Sequence, residues 1–465
     1  VNASELRAQL AACLADEQAW FVGGTVRDEL LGRSTEDVDV AVTGDVERIT
    51  KAVAKQLNAP AFPLSTEFGT WRVVGDGWQV DISVLQGETL LDDLGRRDFT
   101  INAMALPVCG GELIDPTSGR ADLNRQVLRA ASDSSLADDP IRTLRLVRLA
   151  CGLGFDVDPH TAATARLQAP GLADTAGERI FAELALILSS EAVLGGLSLM
   201  SEFGLMAQVL PEVSSLKDVE QNRYHHLDVY EHTLLVLEQV MRLQHDPAAV
   251  LGGVDQRCIE RISGLLGERL ADDLTRGTAL RFGALLHDVA KPQTQARGAD
   301  GTVLGFPDHA AQGAALVTEI CARMRTSDRL SKYLAALTRH HLGLGFLVHA
   351  DPLDARAVYR YLAATAPEQV DVSLLSIADR LATLGHKAEV STLRHLEVAR
   401  RVLPDALQFD AFLAQAPLVR GDVLAAELGL APGPELGAML EAITEARFAG
   451  EVSSEADAIA YARRL

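Results

Sequence analysis

The sequence predicts an α+β head followed by an all-α remainder. Residues 20–45 read as strand, glycine turn, short helix, strand. Several β-type runs follow before residue 130, some of them bounded by glycine. From Pro140 onward the apolar period becomes helical and stays so to the end of the chain. At 465 residues the chain is too long for one core. The expected division is a head over 1–130, a helical neck over 131–222, a histidine-rich helical domain over 223–390 and a helical tail over 391–465.

Ala19–Val22, Val38–Thr43, Thr70–Val74, Trp78–Val84 and Ile101–Val108 are the predicted strands. Gly23-Gly24-Thr25-Val26-Arg27-Asp28 makes the turn after the first strand and opens a helix. Beyond Pro140, Ile141, Leu144 and Leu146–Val147 alternate with arginines at helical spacing. Gly421-Asp422 and Pro432-Gly433-Pro434 punctuate the helical tail. Tyr224, Tyr230, Trp71 and Trp78 read as core or edge packing.

Hydrophobic content of 48% marks a globular chain, and no apolar run approaches membrane-spanning length. The first ten residues lack a charged-then-apolar leader pattern. Cys13, Cys109, Cys151, Cys258 and Cys321 are scattered with no CxxC, which reads as reduced and cytoplasmic. The formal net charge of -21 opposes general binding to nucleic acid. Arginines 96, 97, 120, 125, 129, 142, 145 and 148 nevertheless cluster with no intervening lysine, so an RNA site is confined to a local patch. Neither composition nor pattern separates a monomer from a dimer.

Asp37-Val38-Asp39-Val40 carries the first chemical signal. Side chains two apart on a strand share a face, so Asp37 and Asp39 aim two carboxylates at one point. Such a pair needs a cation, and hard oxygen ligands suit Mg2+. The Gly23-Gly24 bend exposes backbone N–H groups beside it, where phosphate would sit. A metal beside a phosphate cradle points to nucleotidyl transfer. Asp81, on the predicted strand Trp78–Val84, is a candidate third carboxylate.

Further motifs follow in order: Arg96-Arg97-Asp98-Phe99-Thr100-Ile101-Asn102-Ala103, then Leu113-Ile114-Asp115-Pro116, then Asp138-Asp139-Pro140-Ile141-Arg142, then Gly177-Glu178-Arg179-Ile180-Phe181-Ala182-Glu183-Leu184. Each is weak alone. Together with the diglycine turn and the Asp37–Asp39 pair, they resemble the class II, bacterial-type tRNA nucleotidyltransferase and poly(A) polymerase family. The resemblance implies a polymerase-beta-like mixed sheet in the head, with an all-α neck, body and HD domain behind it. It implies tRNA, CTP and ATP as partners, with pyrophosphate leaving as the tRNA 3′-hydroxyl attacks the α-phosphate. Asp37 and Asp39 would hold Mg2+. Gly23, Gly24, Arg27 and Arg97 would contact nucleotide, with Arg145 and Arg148 suited to the triphosphate. Glu178-Arg179 would brace the helix that carries Asp139. The terminal helices would lie along tRNA.

Asp139 and Arg142 are three apart at a predicted helix start, so they are expected on one face. A carboxylate that only accepts, beside a guanidinium that only donates, matches the edges of cytosine and adenine and mismatches guanine and uracil. Such a pair would select the base without a template. Asp139 before Pro140 also reads as a helix N-cap.

Family members that complete CCA carry a flexible loop before the Arg-Arg-Asp motif. Here only Ile82 to Leu91 separate Asp81 from Asp92-Asp93. Within the family, loss of that loop goes with enzymes that add the two cytidines, so CC-addition is expected ahead of full CCA-addition. Poly(A) synthesis is the rival inside the class.

A second set resembles the HD-domain metal phosphohydrolases. Tyr224-His225-His226 and His232 precede His287-Asp288-Val289-Ala290-Lys291, and His309, His340-His341 and Asp379 follow. The resemblance implies that His232, His287, Asp288 and Asp379 bind one divalent metal, with His309 and His340 or His341 for a second. Imidazole with carboxylate suits Mn2+, Fe2+, Ni2+ or Zn2+ better than Mg2+. The sequence leaves open whether this site hydrolyses phosphoesters, such as cyclic phosphates at RNA ends, or serves as a scaffold. The rivals from other classes are a metal phosphohydrolase whose head only binds nucleotide and a non-catalytic RNA-binding protein.

Overall fold

The computed structural model describes residues 3–65, 69–221, 227–350, 352–383 and 388–465. Tyr224, His225 and His226 lie outside the described residues. Contacts divide the chain into two units, Val1–Val209 and Leu210–Leu465. The helices expected as a neck divide between them, most falling in the first unit.

Unit 1 opens with α1 (Ala3–Cys13), whose Leu6 and Leu10 are fully buried along with the following Leu14. A six-stranded mixed sheet follows, in the order β3-β4-β5-β2-β1-β6. Its strands are β1 (Ala19–Val22), β2 (Asp37–Val42), β3 (Ala61–Ser65), β4 (Thr70–Gly75), β5 (Trp78–Val84) and β6 (Ala105–Pro107). Only β2 and β5 run parallel, and their register sets Asp39 directly beside Asp81. The short helix α2 (Gly24–Leu30) joins β1 to β2, and α3 (Val46–Leu57) leads from β2 to β3. In β2, Val38 and Val40 are buried while Asp37 and Asp39 lie on the opposite, more open face. That alternation is why a hydrophobic core strand can present two carboxylates.

The run expected as a strand over Ile101–Val108 begins differently. Thr100–Asn102 is a 3-10 turn, and the strand starts only at Ala105. Asp98 explains the difference: one carboxylate oxygen accepts from the Phe99 backbone N–H at 2.8 Å and from Asn102 Nδ2 at 3.0 Å. Local side-chain bonds of this kind compete with a strand ladder. Ile101, Ala103 and Met104 are still fully buried, so their apolar run carried no period to distinguish turn from strand. β3 escaped the sequence reading altogether. It is an edge strand containing Pro63, with Phe62 and Leu64 exposed.

Between the sheet and the helices that complete this unit, α4 (Leu90–Gly95) carries a Thr89–Asp92 capping box. α5 (Arg142–Leu153) buries Leu144, Leu146, Val147 and Leu149 and packs on α6 (Gly177–Ser189). Each such side chain contributes about 1.5–3 kcal/mol through burial.

Unit 2 is helical. α7 (Val229–His245) starts at Asp228, whose carboxylate accepts from the Glu231 N–H. α8 (Arg276–Leu286) is buried on every face from Gly277 onward, which makes it the central helix. A Cβ at Gly283 would collide with Leu337, so glycine permits that close approach. α9 (His309–Met324) and α10 (Asp328–His340) form an antiparallel pair, followed by α11 (Gly343–Leu347), α12 (Gln369–Ala382) and α13 (Ala388–Ala406). In the tail, α14 (Pro434–Phe448) brings Phe448 against Tyr359, Phe409 and Phe412. Tyr230 and Trp78 are buried, and Trp71 carries Lys51 over its ring. Among the described residues no helix is long and apolar enough to cross a membrane.

Candidate active site

The diglycine bend and the acidic strand meet in space. Gly23 has φ of 63°, and a Cβ there would stand 3.1 Å from both Asp39 Oδ2 and Arg97 Nη1. Only glycine combines that backbone with that proximity. The Asp39 N–H donates to Thr25 Oγ1 at 2.7 Å, tying β2 to the start of α2. Asp37, Asp39 and Asp81 line one cleft of about 560 Å³ with Gly23, Gly24, Arg27, Arg97, Arg145 and Arg148.

Burial pushes the Asp39 carboxyl up to about 6, with repulsion from Asp81 next and from Asp37 smaller, against the pull of Arg97 and Arg27. Asp39 is therefore a carboxylate stripped of water and crowded by two others. A set of oxygen donors in that state fits a hard divalent cation such as Mg2+.

The arginines of the cleft are held rather than loose. Arg27 donates to Asp28 through two bonds of 2.8 Å and to Asn102 Oδ1 at 2.9 Å. Arg97 is paired with Asp93 at 2.9 Å, one turn back along α4. Arg145 donates to Glu183 at 2.9 Å and to Asp98 at 3.2 Å, while Arg148 reaches the other oxygen of Glu183 at 2.6 Å. One buried carboxylate on α6 thus braces two of the three arginines of α5. Arg145 rises further above the ordinary guanidinium range: burial opposes this, but Asp98 and Glu183 outweigh it. Of the expected Glu178-Arg179 brace, Arg179 pairs with Asp139, and Glu183, which the sequence did not single out for this, holds Arg145 and Arg148 of α5.

Asp139 and Arg142 are not neighbours on one helical face. Asp139 is extended, with φ of -149° and ψ of 98°, and α5 begins only at Arg142. Pro140 disfavours helical geometry in the residue before it, which delays the helix. Asp139 caps no helix through its side chain and accepts instead from Arg179 at 2.7 Å. Arg142 donates to the carbonyls of Arg96 at 2.9 Å and Ser135 at 3.1 Å, and to Ser135 Oγ at 3.1 Å. It lines a second cavity of about 390 Å³, which shares Arg97, Asp98 and Arg145 with the acidic cleft. Asp139 is not among the residues lining either cavity.

Sequence reasoning gave no role to Arg72, Asp93 or Asn102. Asp93 was detectable as an i, i+4 partner of Arg97. Arg72 was not, because cross-strand register is needed to set it opposite Asp81.

The histidine-rich site assembles from helix ends in unit 2. Asp288 lies at its centre, with His287 Nε2 at 3.0 Å, His309 Nε2 at 3.5 Å, and His232 and His341 Nε2 at 3.8 Å. His232 Nε2 is 3.0 Å from Asp379 Oδ1, so the distant aspartate joins the same cluster. His341, not His340, enters it; His340 remains half-buried outside. His287, His309 and His341 each set Nδ1 within 2.7–2.8 Å of a backbone carbonyl oxygen. That pattern fixes the ring and turns the Nε2 lone pair inward. His287 Nε2 and both Asp288 oxygens are buried with no hydrogen-bond partner. Two donor sets share Asp288: His232 with His287, and His309 with His341. Burial holds His341 down to about 4. Asp288 is held well below the carboxylate range: burial opposes this, but His287 and Lys291 outweigh it. Lys291, unassigned from sequence, stands 2.6 Å from Asp288. The residues fit one or two divalent ions with nitrogen and oxygen ligands.

Known family models match the regions that hold the two clusters. The model "Poly A polymerase head domain" matches residues 19–88 and 70–129. "Probable RNA and SrmB- binding site of polymerase A" matches 154–217, and "HD domain" matches 229–384. The chain is 35% identical over 452 residues to an A-adding tRNA nucleotidyltransferase of Deinococcus radiodurans, covering 96% of this chain and 95% of that one. It is 32% identical to a CC-adding tRNA nucleotidyltransferase of Thermus thermophilus, covering 96% and 93%. A CCA-adding enzyme in apo form shares the fold with TM-score 0.65 at 21% identity, covering 99% and 93%. A Thermotoga maritima CCA-adding enzyme complexed with tRNA shares it with TM-score 0.58 at 20% identity, covering 100% and 98%. Likeness over nearly the whole chain, added to an acidic strand beside a diglycine bend, makes this protein a member of the tRNA nucleotidyltransferase family, enzymes with a poly A polymerase-type head and an HD domain.

Proposed function

We propose that this chain transfers CMP from CTP to the 3′-hydroxyl of tRNA, twice, with pyrophosphate released and no nucleic-acid template. The observation that carries the reading is the approach of Gly23 to Asp39 and Arg97 in one cleft with Asp37 and Asp81. Asp37 and Asp39 would hold Mg2+, which supplies charge neutralisation at the reacting phosphates. The Gly23-Gly24 bend with Arg27 and Arg97 would receive the triphosphate. Arg145 and Arg148, immobilised by Glu183, would face its charge without having to be ordered first. Asp139 and Arg142 would read the base.

Stopping after two cytidines is supported by the link between Asp81 and the Arg-Arg-Asp motif. Ile82–Val84 stay in β5 and Leu90 opens α4, so only residues 85–89 connect them. Gln86 N–H donates to Asp93 at 2.9 Å and the Thr89–Asp92 box closes the other end. So short and pinned a segment offers no lever to switch the base reader from cytosine to adenine. A second reading, addition of the terminal adenosine alone, is favoured by the A-adding Deinococcus relative. The test is tRNA ending before CCA, after C and after CC, each given CTP, ATP or both, with product length read on a gel. Growth stopping at CC supports the first reading. Growth only of the CC-ended tRNA, and only with ATP, replaces it with the second. A long adenosine ladder would mean a poly(A) polymerase.

We infer further that the histidine-rich site hydrolyses phosphoesters. Support comes from the two histidine donor sets that share the buried Asp288, with their imidazoles turned inward. Bound metal would supply hydroxide at neutral pH. The P–O bond to the sugar would open and the sugar oxygen would take the proton. His287→Ala should abolish hydrolysis and leave nucleotide transfer intact.

A further inference from the structure

Helix α2 follows the diglycine bend, and little in its own sequence fixes where it starts. It has seven residues, and its N-cap, Gly23, makes no side-chain cap bond. Isolated helices shorter than about 12–15 residues are marginal in water, so neighbours must hold it. Burial of Thr25 and Val26 secures one face. A second hold comes from α1. Arg7 Nη2 donates to the Thr25 carbonyl at 3.0 Å, and Arg7 Nη1 donates to Glu29. Positions 25 and 29 lie one turn apart on the same side of a helix. A single planar guanidinium thus spans a turn of α2, a geometry that one ammonium group cannot reproduce. Arg7 also lies over the Phe21 ring of β1, its Cζ 5.1 Å from the ring centroid. Leu6 and Leu10 are fully buried, so Arg7 is carried on an anchored backbone.

The two halves of this clamp differ. Glu29 is 44% exposed in its side chain, and ion pairs of that kind contribute little. The Thr25 half leads inward. Thr25 is buried, and its Oγ1 accepts from the Asp39 N–H at 2.7 Å. A shift of α2 therefore moves the acceptor that holds the Asp39 backbone, and with it the carboxylate beside Gly23. Arg7 itself does not line the cleft.

We propose that Arg7 is a positioning residue for nucleotide transfer: through the Thr25 carbonyl it holds the Thr25 hydroxyl against the Asp39 N–H, and so sets the carboxylate that would grip Mg2+. The inference rests on the reading of Asp39 as a magnesium ligand given above, and the experiment separates the two.

The test compares Arg7→Met, Arg7→Lys, Thr25→Val, Glu29→Gln and the Arg7→Met/Thr25→Val double variant in the full-length protein. Met keeps an unbranched apolar chain against Phe21 and loses both donors. Three quantities are read: hydrogen–deuterium exchange at the Asp39 amide, the Mg2+ concentration giving half the melting shift at pH 7.5, and kcat for CMP incorporation into tRNA lacking CCA. Arg7→Met should speed Asp39 exchange, raise the Mg2+ midpoint and lower kcat, each about tenfold, the low end for groups that orient a ligand. Melting temperature in EDTA should change little. Arg7→Lys should recover part of each loss, and Glu29→Gln should stay within about twofold of the parent. Thr25→Val should lose at least as much as Arg7→Met, and the double variant no more than Thr25→Val alone, because cutting the last link idles the first. Unchanged exchange at Asp39 in Arg7→Met, or losses that add in the double variant, overturns the relay. A lower melting temperature with all three quantities unmoved would mean that Arg7 only fastens α1 to α2, and overturns it too. Asp39→Asn inactive beside a fully active Arg7→Met keeps the magnesium reading and removes Arg7. Full kcat and an intact Mg2+ effect in Asp39→Asn would sink the magnesium reading itself, whatever Arg7 does.

Discussion

Arg72 on β4 grips Asp81 on β5 through two hydrogen bonds of 2.7 Å, Nε to Oδ1 and Nη2 to Oδ2. Asp81 is also the parallel-register partner of Asp39. The third carboxylate of the cleft is therefore already neutralised by a fork-to-fork pair, whereas no such partner neutralises Asp39. Asp81 would then act on a bound cation chiefly by orienting Asp39 and not as a ligand of its own. Asp37→Ala and Asp39→Ala should each abolish CMP incorporation. Asp81→Asn should cost about 10–100-fold in kcat, the range of outer ligand-orienting groups. Single-turnover incorporation with saturating CTP measures the three, and equal loss in all of them would make Asp81 a direct ligand.

The raised carboxyl of Asp39 gives a pH dependence of known sign. Its pKa stands at about 6 in the folded protein, above its ordinary value of 3.8. The folded state binds the extra proton between those values, so without cation stability falls as pH rises from about 4 to 6 and stays reduced above. A divalent cation removes that penalty only where the proton has left. Added Mg2+ should stabilise the protein by about 1–2 kcal/mol at pH 7.5 and much less at pH 5. Asp39→Asn should be the more stable protein at pH 7.5 in EDTA and should lose the Mg2+ effect. Thermal melts at both pH values decide it.

Gly23→Ala should fold and slow catalysis. The backbone there, φ 63° with ψ -135°, costs an alanine about 1–3 kcal/mol. Its Cβ would also lie 3.1 Å from Asp39 Oδ2 and Arg97 Nη1, so both must give way. They must give by a few tenths of an ångström, less than the shift of about 1 Å that costs about 100-fold in rate, so a loss of roughly tenfold is expected. The comparison is urea unfolding against kcat: a kcat loss of that size with a small stability loss is expected. A stability loss large enough to unfold the chain would make Gly23 chiefly a folding residue.

Much of this was readable from sequence because it is local. The strands Ala19–Val22 and Trp78–Val84 carry strand-forming runs ended by Gly or followed by a polar turn, and they form where they were expected. Asp37 and Asp39 share a face because alternation is a property of any strand. The gathering of His232, His287, Asp288, His309 and His341 was legible only through resemblance, since the adjacent His287-Asp288 and three distant positions at other helix ends have no local spacing in common. What stayed hidden depends on register and on rotamers. Arg72 meets Asp81, and Glu183 meets two arginines, only after strands pair and helices pack. The start of α5 was misread because the amphipathic pattern suggested a helix from Asp139, while the proline rule stops at one residue's backbone and fixes no side-chain partner.

Base selection should depend on Arg179 as well as on Asp139. Arg179 binds Asp139 Oδ2 at 2.7 Å, which leaves Oδ1 as the acceptor available to an incoming exocyclic amine. Cytosine supplies that amine; uracil presents a carbonyl there and is repelled by the carboxylate. Asp139→Asn turns part of the acceptor into a donor, so uracil should become acceptable and CMP insertion slower. Arg179→Ala keeps the carboxylate but frees it to rotate. Its insertion of UMP should rise about tenfold relative to CMP, because one misplaced hydrogen bond is worth roughly 1–1.5 kcal/mol. Each triphosphate is supplied alone to tRNA lacking CCA, and kcat/KM is compared across the four. Unchanged ratios in Arg179→Ala would mean that the pair merely fastens α6 to the segment before α5. Unchanged ratios in Asp139→Asn as well would remove Asp139 from base reading and leave Arg142 and its cavity as the selecting surface.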